Sequence, residues 1–271
     1  MTAPQPLTGV VVTLNEEDRL ADCLRSLDFC DELLVIDSHS TDRTRELAAE
    51  FGAQVIERDW PGFMAQKEFG TRAAQNDWVL FLDADERLSA TLRDEIVALR
   101  AEGFPARAGW RMPRTTSYLG AWIRHGTWTP DLQLRLFDRR RGHYGGTDPH
   151  AYVVVDGPVG RLAGTILHDT YRNLGEHLAI IDRYTEVAAE RMSEKGRRAR
   201  PSDLVLRPAV HFLRAYLFKL GFLDGWRGLL LAYLGAHYVR LKYARLMARQ
   251  RSRPTPRPDD ACPGTFGASP D

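Results

Sequence analysis

The residues best suited to chemistry are acids placed where apolar runs stop. Trp78-Val-Leu-Phe-Leu-Asp83-Ala-Asp85-Glu86 passes from a buried-strand pattern straight into two carboxylates one residue apart. Residues two apart on an extended strand point the same way. Asp83 and Asp85 are therefore expected to aim at one point beyond the strand's carboxyl end, where open α/β sheets take ligands. Two carboxylates sharing a point repel unless a cation lies between them. Mg²⁺ or Mn²⁺ would serve, because both take oxygen ligands and bridge carboxylates to phosphate. The plain alternative is a strand end with solvated acids.

Two other apolar runs end in polar groups. The first leads into Thr13-Leu-Asn15-Glu16-Glu17, the second into Val35-Ile36-Asp37-Ser38-His39-Ser40-Thr41-Asp42. Neither G-x-G-x-x-G nor a Walker A loop is present, which excludes those phosphate cradles. Acids at the first turn would repel a bare pyrophosphate. They suit a base, ribose hydroxyls or a metal-held nucleotide. Asp37 is assigned to ligand contact, whereas Asp42 at a helix start is either a cap or a contact. Lys67 either brings a cation to the ligand or is an ordinary solvated lysine.

The elements that must position these groups alternate. Strands are expected at Leu7–Leu14, Glu32–Asp37, Ala53–Glu57 and Trp78–Leu82. Helices are expected at Glu16–Leu27, Thr41–Phe51, Gly62–Gln75 and Ser89–Arg100, with Ser40 or Thr41 and Ser89 as N-caps. This rhythm predicts a doubly wound, mostly parallel sheet of Rossmann-like type. From Ala108 the rhythm breaks into short strands (Gly109–Pro113, Asp131–Asp138, Ala151–Val155) and loops rich in Gly, Arg, Trp and His. Such a segment suits the substrate side of a site. Leu174–Lys195 and Leu204–Gln250 read as a helical appendage, the second interrupted. The expected organisation is a nucleotide half over 1–107, an acceptor half over 108–172, helices over 173–250 and a disordered tail over 251–271.

The 271 residues carry a net charge of +1 that hides an asymmetry. Residues 1–103 hold 21 acids against 10 Lys/Arg, and the rest hold 15 acids against 27. A basic rear half points to an anionic partner, or to charge complementarity between packed layers. Cys23, Cys30 and Cys262 are odd in number and lack metal-ligand spacing, which fits a reduced, cytosolic setting. The start lacks the charged and apolar regions of a signal peptide. The longest apolar stretch, Gly228–Val239, falls short of the ~20 residues of a spanning helix. Between Leu204 and Arg251, nine Lys/Arg face one acid, Asp224, and flank an aromatic-rich apolar pattern. That pattern suits a helix lying in the headgroup plane of an anionic membrane surface. Packing on the sheet or a homodimer seam is the alternative. Bases so mixed with apolar residues argue against nucleic acid.

In ordered series the motifs resemble family 2 glycosyltransferases of GT-A fold. The matching segments are Thr13-Leu-Asn-Glu-Glu17, Val35-Ile-Asp-Ser-His-Ser-Thr-Asp42, Gly62-Phe-Met-Ala-Gln-Lys67 and Leu82-Asp-Ala-Asp-Glu86. Trp122-Ile-Arg-His-Gly126, Pro130-Asp-Leu-Gln-Leu-Arg-Leu-Phe137, Val155-Asp-Gly-Pro-Val-Gly160 and Gly221-Phe-Leu-Asp-Gly-Trp-Arg-Gly228 are similar to the branch that builds the lipopolysaccharide core, of β-glucosyltransferase type. The resemblance spans residues 8 to about 248. It implies inverting transfer of a sugar, glucose above others, from a UDP-sugar. The acceptor would be a lipopolysaccharide-core or other lipid-linked glycan at the inner face of the cytoplasmic membrane. It implies that Thr13, Asn15, Glu16 and Asp37 hold the uridine, that Asp83 faces ribose and metal, and that Asp85 ligates the metal. His39 stands where the family commonly has glycine. It either adds a ribose or phosphate contact or tolerates an unusual backbone angle.

An inverting displacement also needs a general base for the acceptor hydroxyl. The branch usually reads His-Glu where this chain reads Asp148-Pro149-His150-Ala151, so Ala151 replaces the expected Glu. Asp131, Asp148 and His150 remain as bases, Asp131 preferred, and both Asp positions also suit turns. Lys67, Arg124 or Arg135 could assist the leaving diphosphate. His125, His150 and His168 lack the spacing of a compact zinc site. Trp122 is assigned to core and Trp128 to the acceptor surface. Two competing readings remain: a nucleotide-sugar binder that has lost its base, and an Asp-x-Asp phosphotransferase. The second is disfavoured because its Asp pair should follow the first strand.

Overall fold

The computed structural model describes residues 4–251, apart from Pro149 and the side chains of Thr147 and His150. The expected tail lies outside the described residues beyond Arg251.

The first half alternates as expected: β1 (Leu7–Thr13), α1 (Leu20–Ser26), β2 (Glu32–Asp37), α2 (Thr44–Glu50), β3 (Gln54–Glu57), α3 (Phe63–Ala73), β4 (Trp78–Asp83), β5 (Glu86–Leu88) and α4 (Ala90–Ala101). Strands β3, β2, β1 and β4 lie side by side in parallel. All seven residues of β1 are buried, because a central parallel strand is covered on both faces. Side-chain alternation sorts the apolar residues into two layers. Leu7, Val11, Leu80 and Leu82 pack with Leu20 and Leu24 of α1 and Leu92 and Ile96 of α4. Val10, Val12, Val79 and Phe81 face the other way. Gly70 lets α3 approach that second face; a Cβ there would stand 2.8 Å from Val10 Cγ1.

The second half extends the same sheet through β6 (Gly109–Tyr118), β7 (Ala121–Trp122), β8 (Leu132–Asp138), β11 (Val159–Arg161) and β12 (Ile166–His168). Strand β8 is antiparallel to both β4 and β6. The sheet order is β3-β2-β1-β4-β8-β6-β12-β5, with β7 and β11 also on β6. A separate hairpin, β9 (Gly142–Thr147) with β10 (His150–Val155), covers the second layer through Tyr144 and Val153. The result is the mixed, mostly parallel sheet of the GT-A arrangement. Helix α5 (Leu174–Glu194) packs on the long α7 (Gly225–Arg251) around Ala189, Tyr243 and Leu246. Helix α6 (Leu206–Leu213) joins α7 through a π-helical turn at Arg214–Phe218 and a 3₁₀ turn at Gly221–Asp224. Among the described residues no helix is long and apolar enough to cross a membrane.

Several short strands escaped the sequence reading. β5, β7, β11 and β12 have two or three residues each, too few for a visible period. Strand β6 runs on to Tyr118, past the expected Pro113. The start of α2 also differs from expectation: the cap position is Arg43, not Ser40 or Thr41, it makes no side-chain cap hydrogen bond, and Asp42 accepts from Thr44 N at 3.0 Å.

Candidate active site

The carboxyl ends of β1, β2 and β4 lie on one edge, as the parallel order requires. The first two turns are laced together. Asn15 N donates to Ser40 Oγ at 2.9 Å, and Asn15 Oδ1 accepts from Thr41 N at 2.8 Å. Glu16 N donates to Thr44 Oγ1, and Glu17 N to Asp42. Asp37 is 0% exposed and holds its own turn, accepting from Ser40 N at 2.8 Å and Ser40 Oγ at 2.5 Å. Its oxygens are thus engaged within the protein. His39 has a left-handed φ of +62°, a conformation that favours glycine, and its ring turns to Asp59 at 2.8 Å. Thr13 Oγ1 is buried and has no hydrogen-bond partner among the described residues.

The two carboxylates of the Asp-Ala-Asp run do not converge. The chain turns at Ala84–Asp85, so the two-residue period of a strand ends with Asp83. Asp83 faces inward, with Oδ1 2.5 Å from Lys67 Nζ and Oδ2 2.9 Å from Arg135 Nη2. Lys67 is therefore a buried partner of Asp83. Burial opposes the Asp83 charge, but the Lys67 and Arg135 cations outweigh it and hold the carboxyl far below its usual range. Burial drags the Lys67 ammonium below its ordinary value, against the pull of Asp83.

Behind Asp83 runs a chain of alternating charges. Glu86, 1% exposed, accepts from Asp83 N at 3.0 Å, Arg135 Nη2 at 3.0 Å and Arg114 Nη1 at 2.7 Å. Burial opposes its charge too, and Arg135 first, then Arg114, keep its pKa lowered. Arg114 Nε in turn donates to Asp131 Oδ2 at 2.8 Å, and Gln133 Nε2 to Asp131 Oδ1 at 2.5 Å. Lys67, Asp83, Asp131 and Arg135 each stand out in the sequence, but the line that joins them does not. Its inner links, the buried Glu86 and the half-buried Arg114, sit on strands with no motif signal beyond Glu86 following Asp85.

Asp85 points elsewhere. Its Oδ2 lies 3.2 Å from His168 Nε2 and 3.6 Å from Arg19 Nη1. Strand β12 brings His168 there by pairing with β5, His168 opposite Glu86. Glu16 adjoins the pair through Arg19, and burial raises its pKa against the pull of Arg19. Asp85 and His168 are the residues here that could hold a divalent cation such as Mn²⁺, since a carboxylate and an imidazole are both ligand types. No group of three or more His, Cys, Asp or Glu stands poised for a metal among the described residues.

A family model described as glycosyl transferase family 2 matches residues 8–148. The chain belongs to that family. The transferase is 31% identical over 263 residues to the lipopolysaccharide core biosynthesis glycosyltransferase LpsC of Rhizobium meliloti, covering 94% of this chain and 97% of that one. It is 28% identical over 251 residues to the uncharacterized glycosyltransferase RT0209 of Rickettsia typhi, with 89% and 86% covered. The crystal structure of S. aureus TarS 1–349 in complex with UDP-GlcNAc superposes with a TM-score of 0.48 and 14% identity over 90% of each chain.

Of the candidate bases, Asp131 precedes β8 beside Arg114, whereas Asp148 accepts from Met64 N at 2.8 Å at the start of α3. The His150 side chain lies outside the described residues. Ala151 packs against the second core layer. Trp122 is exposed, contrary to the core assignment, with Arg87 over its ring at 5.8 Å. Trp128 joins Tyr118, Tyr171 and His177 in an aromatic cluster. Arg124 meets Asp224 through its backbone, and Arg135 is committed to Asp83 and Glu86.

Proposed function

We propose that this transferase moves a hexose, glucose by resemblance, from a UDP-sugar to a lipopolysaccharide-core or other lipid-linked glycan, with inversion and with Mg²⁺ or Mn²⁺. The observation that carries the reading is the meeting of Asp85 and His168 beside the Lys67–Asp83–Arg135 cluster at the sheet's carboxyl edge. In this reading the metal is held by Asp85 and His168, not by Asp83, whose oxygens serve two cations. The metal, when bound, stabilises charge gathering on the departing diphosphate. Asp83 keeps Lys67 and Arg135 in place behind the ribose. Thr13, with its unpartnered hydroxyl, is suited to a base edge of the uracil. Asn15, Glu16 and Asp37 shape that pocket through the laced turns. Asp131, oriented by Arg114 and Gln133, takes the acceptor proton. Asp148 and His150 stand as the alternatives.

Two experiments test this. A thermal-shift panel of UDP-, GDP-, ADP- and dTDP-sugars should show stabilisation by UDP-sugars that needs Mn²⁺. Asp131→Asn should abolish transfer and leave UDP binding intact; near-normal turnover discards that assignment. The apolar setting of Ala151 favours a second reading, a nucleotide-sugar binder without a base. Donor binding with neither transfer nor slow Mn²⁺-dependent hydrolysis would establish it.

A further inference from the structure

The elbow between α6 and α7 turns an apolar surface to solvent. Phe218 is 81% exposed, Trp226 57%, Leu223 56% and Leu217 49%. The backbone beneath them is folded tightly on itself. A Cβ at Gly228 would stand 1.8 Å from Gly221 O, and one at Gly221 2.7 Å from Ala215 O. Leu220 completes the bend with a left-handed φ of +58°. With the inner space taken by backbone, the large side chains have only the outside. Large apolar side chains exposed together on one short bend are the kind of surface that marks an interaction site.

The charges around it have one sign. Arg214 is exposed, Lys219 is half-buried, and Arg227 lies over the Trp226 ring at 4.6 Å. The single acid between Leu204 and Arg251, Asp224, is withdrawn from this surface. Its side chain is 8% exposed and accepts from His125 N at 2.8 Å and Arg124 N at 3.2 Å, with the His125 ring at 3.0 Å. Gly126 N donates to Lys219 O at 2.8 Å, so the elbow also holds the backbone of the loop that leads to Trp128 and Asp131.

We propose that this elbow docks on an anionic lipid bilayer, with Phe218, Leu217, Leu223 and Trp226 in the acyl boundary and Arg214 and Lys219 among the headgroups. Docking then orders the 123–128 loop through Asp224. Aromatic and aliphatic insertion flanked by cations is the chemistry of an interfacial helix, and anionic lipid strengthens it. The first step rests on the surface alone. The meaning of the second, that docking readies the acceptor side, rests on the activity proposed above.

The test uses the full chain. Sedimentation with phosphatidylcholine vesicles containing about a third phosphatidylglycerol should pellet the protein, and phosphatidylcholine alone should pellet it more weakly. Phe218→Ser with Trp226→Ser should weaken pelleting about tenfold or more. Should that pair misfold, Arg214→Glu with Lys219→Glu provides the same comparison. Hydrogen exchange at residues 123–128 should slow on vesicles. Asp224→Asn should still pellet but exchange fast at these amides with or without lipid. Three results each overturn the proposal: pelleting indifferent to both double variants, a concentration-dependent dimer that protects Phe218 and Trp226 in solution, or loop exchange indifferent to vesicles and to Asp224→Asn. None of these readouts involves sugar transfer. A protein that docks and orders its loop yet transfers nothing would remove the activity reading and leave this one standing.

Discussion

Glu86→Gln removes one charge from the middle of the buried line and almost no volume. Glu86 is 1% exposed and accepts three hydrogen bonds, from Asp83 N, Arg114 Nη1 and Arg135 Nη2. Removing one partner of a buried ion pair typically costs about 3–5 kcal/mol, because the other charge stays buried without compensation. The amide oxygen of Gln keeps part of the hydrogen bonding, and Asp83 still faces Arg135, so the expected loss is about 2–4 kcal/mol. For a chain of this size that lowers the melting temperature by roughly 4–16 °C. Urea unfolding at neutral pH should show a lower midpoint with an unchanged slope. The folded-state pKa of Glu86 lies below its unfolded value. Its contribution is therefore full above the unfolded value and is lost as pH falls through the folded one, so the deficit of the variant should shrink in acid. Combining Glu86→Gln with Arg114→Gln should cost less than the two separate losses together, as expected for neighbours in one network. A loss below about 1 kcal/mol for Glu86→Gln, or full additivity of the pair, would refute the claim that Glu86 holds the line together.

His177 is buried beside Tyr118, whose hydroxyl lies 2.9 Å from Nδ1, and burial lowers its pKa to about 4. The unfolded chain takes up this proton first, so stability should be full above about pH 6.5 and fall by about 3 kcal/mol towards pH 4. His177→Gln should flatten that slope in unfolding midpoints measured across the window, and an unchanged slope would contradict the assignment. Asp85→Asn and His168→Ala should each weaken Mn²⁺ binding in the presence of UDP by about tenfold or more, read by calorimetry. Unaltered Mn²⁺ affinity in both variants would move the metal away from this pair.

Periodicity and strand-end chemistry made much of the first half legible. Predominantly apolar runs at β1 and β4 call for burial on both faces, and a parallel sheet is the arrangement that supplies it. Parallel order then places Asn15, Asp37 and Asp83 on one edge without further information. Ser89 announced its cap, accepting from Leu92 N as expected. The second half was less legible because several of its strands are too short to carry a period, and their partners lie far along the chain.

What the sequence determined by itself was the family, the alternating order of elements and the edge on which the acids gather, since these follow from local pattern. Only the tertiary structure decided which acids face which partners. The turn at Ala84–Asp85 separates two carboxylates that a strand would have aligned. Pairing of β12 with β5 brings His168 to Asp85 across 83 residues of chain. The antiparallel insertion of β8 brings Arg135 to Asp83, and β6 beside it brings Arg114 to Glu86. Such meetings depend on strand order and register, which arise from packing of the whole sheet. No window of neighbouring residues contains them.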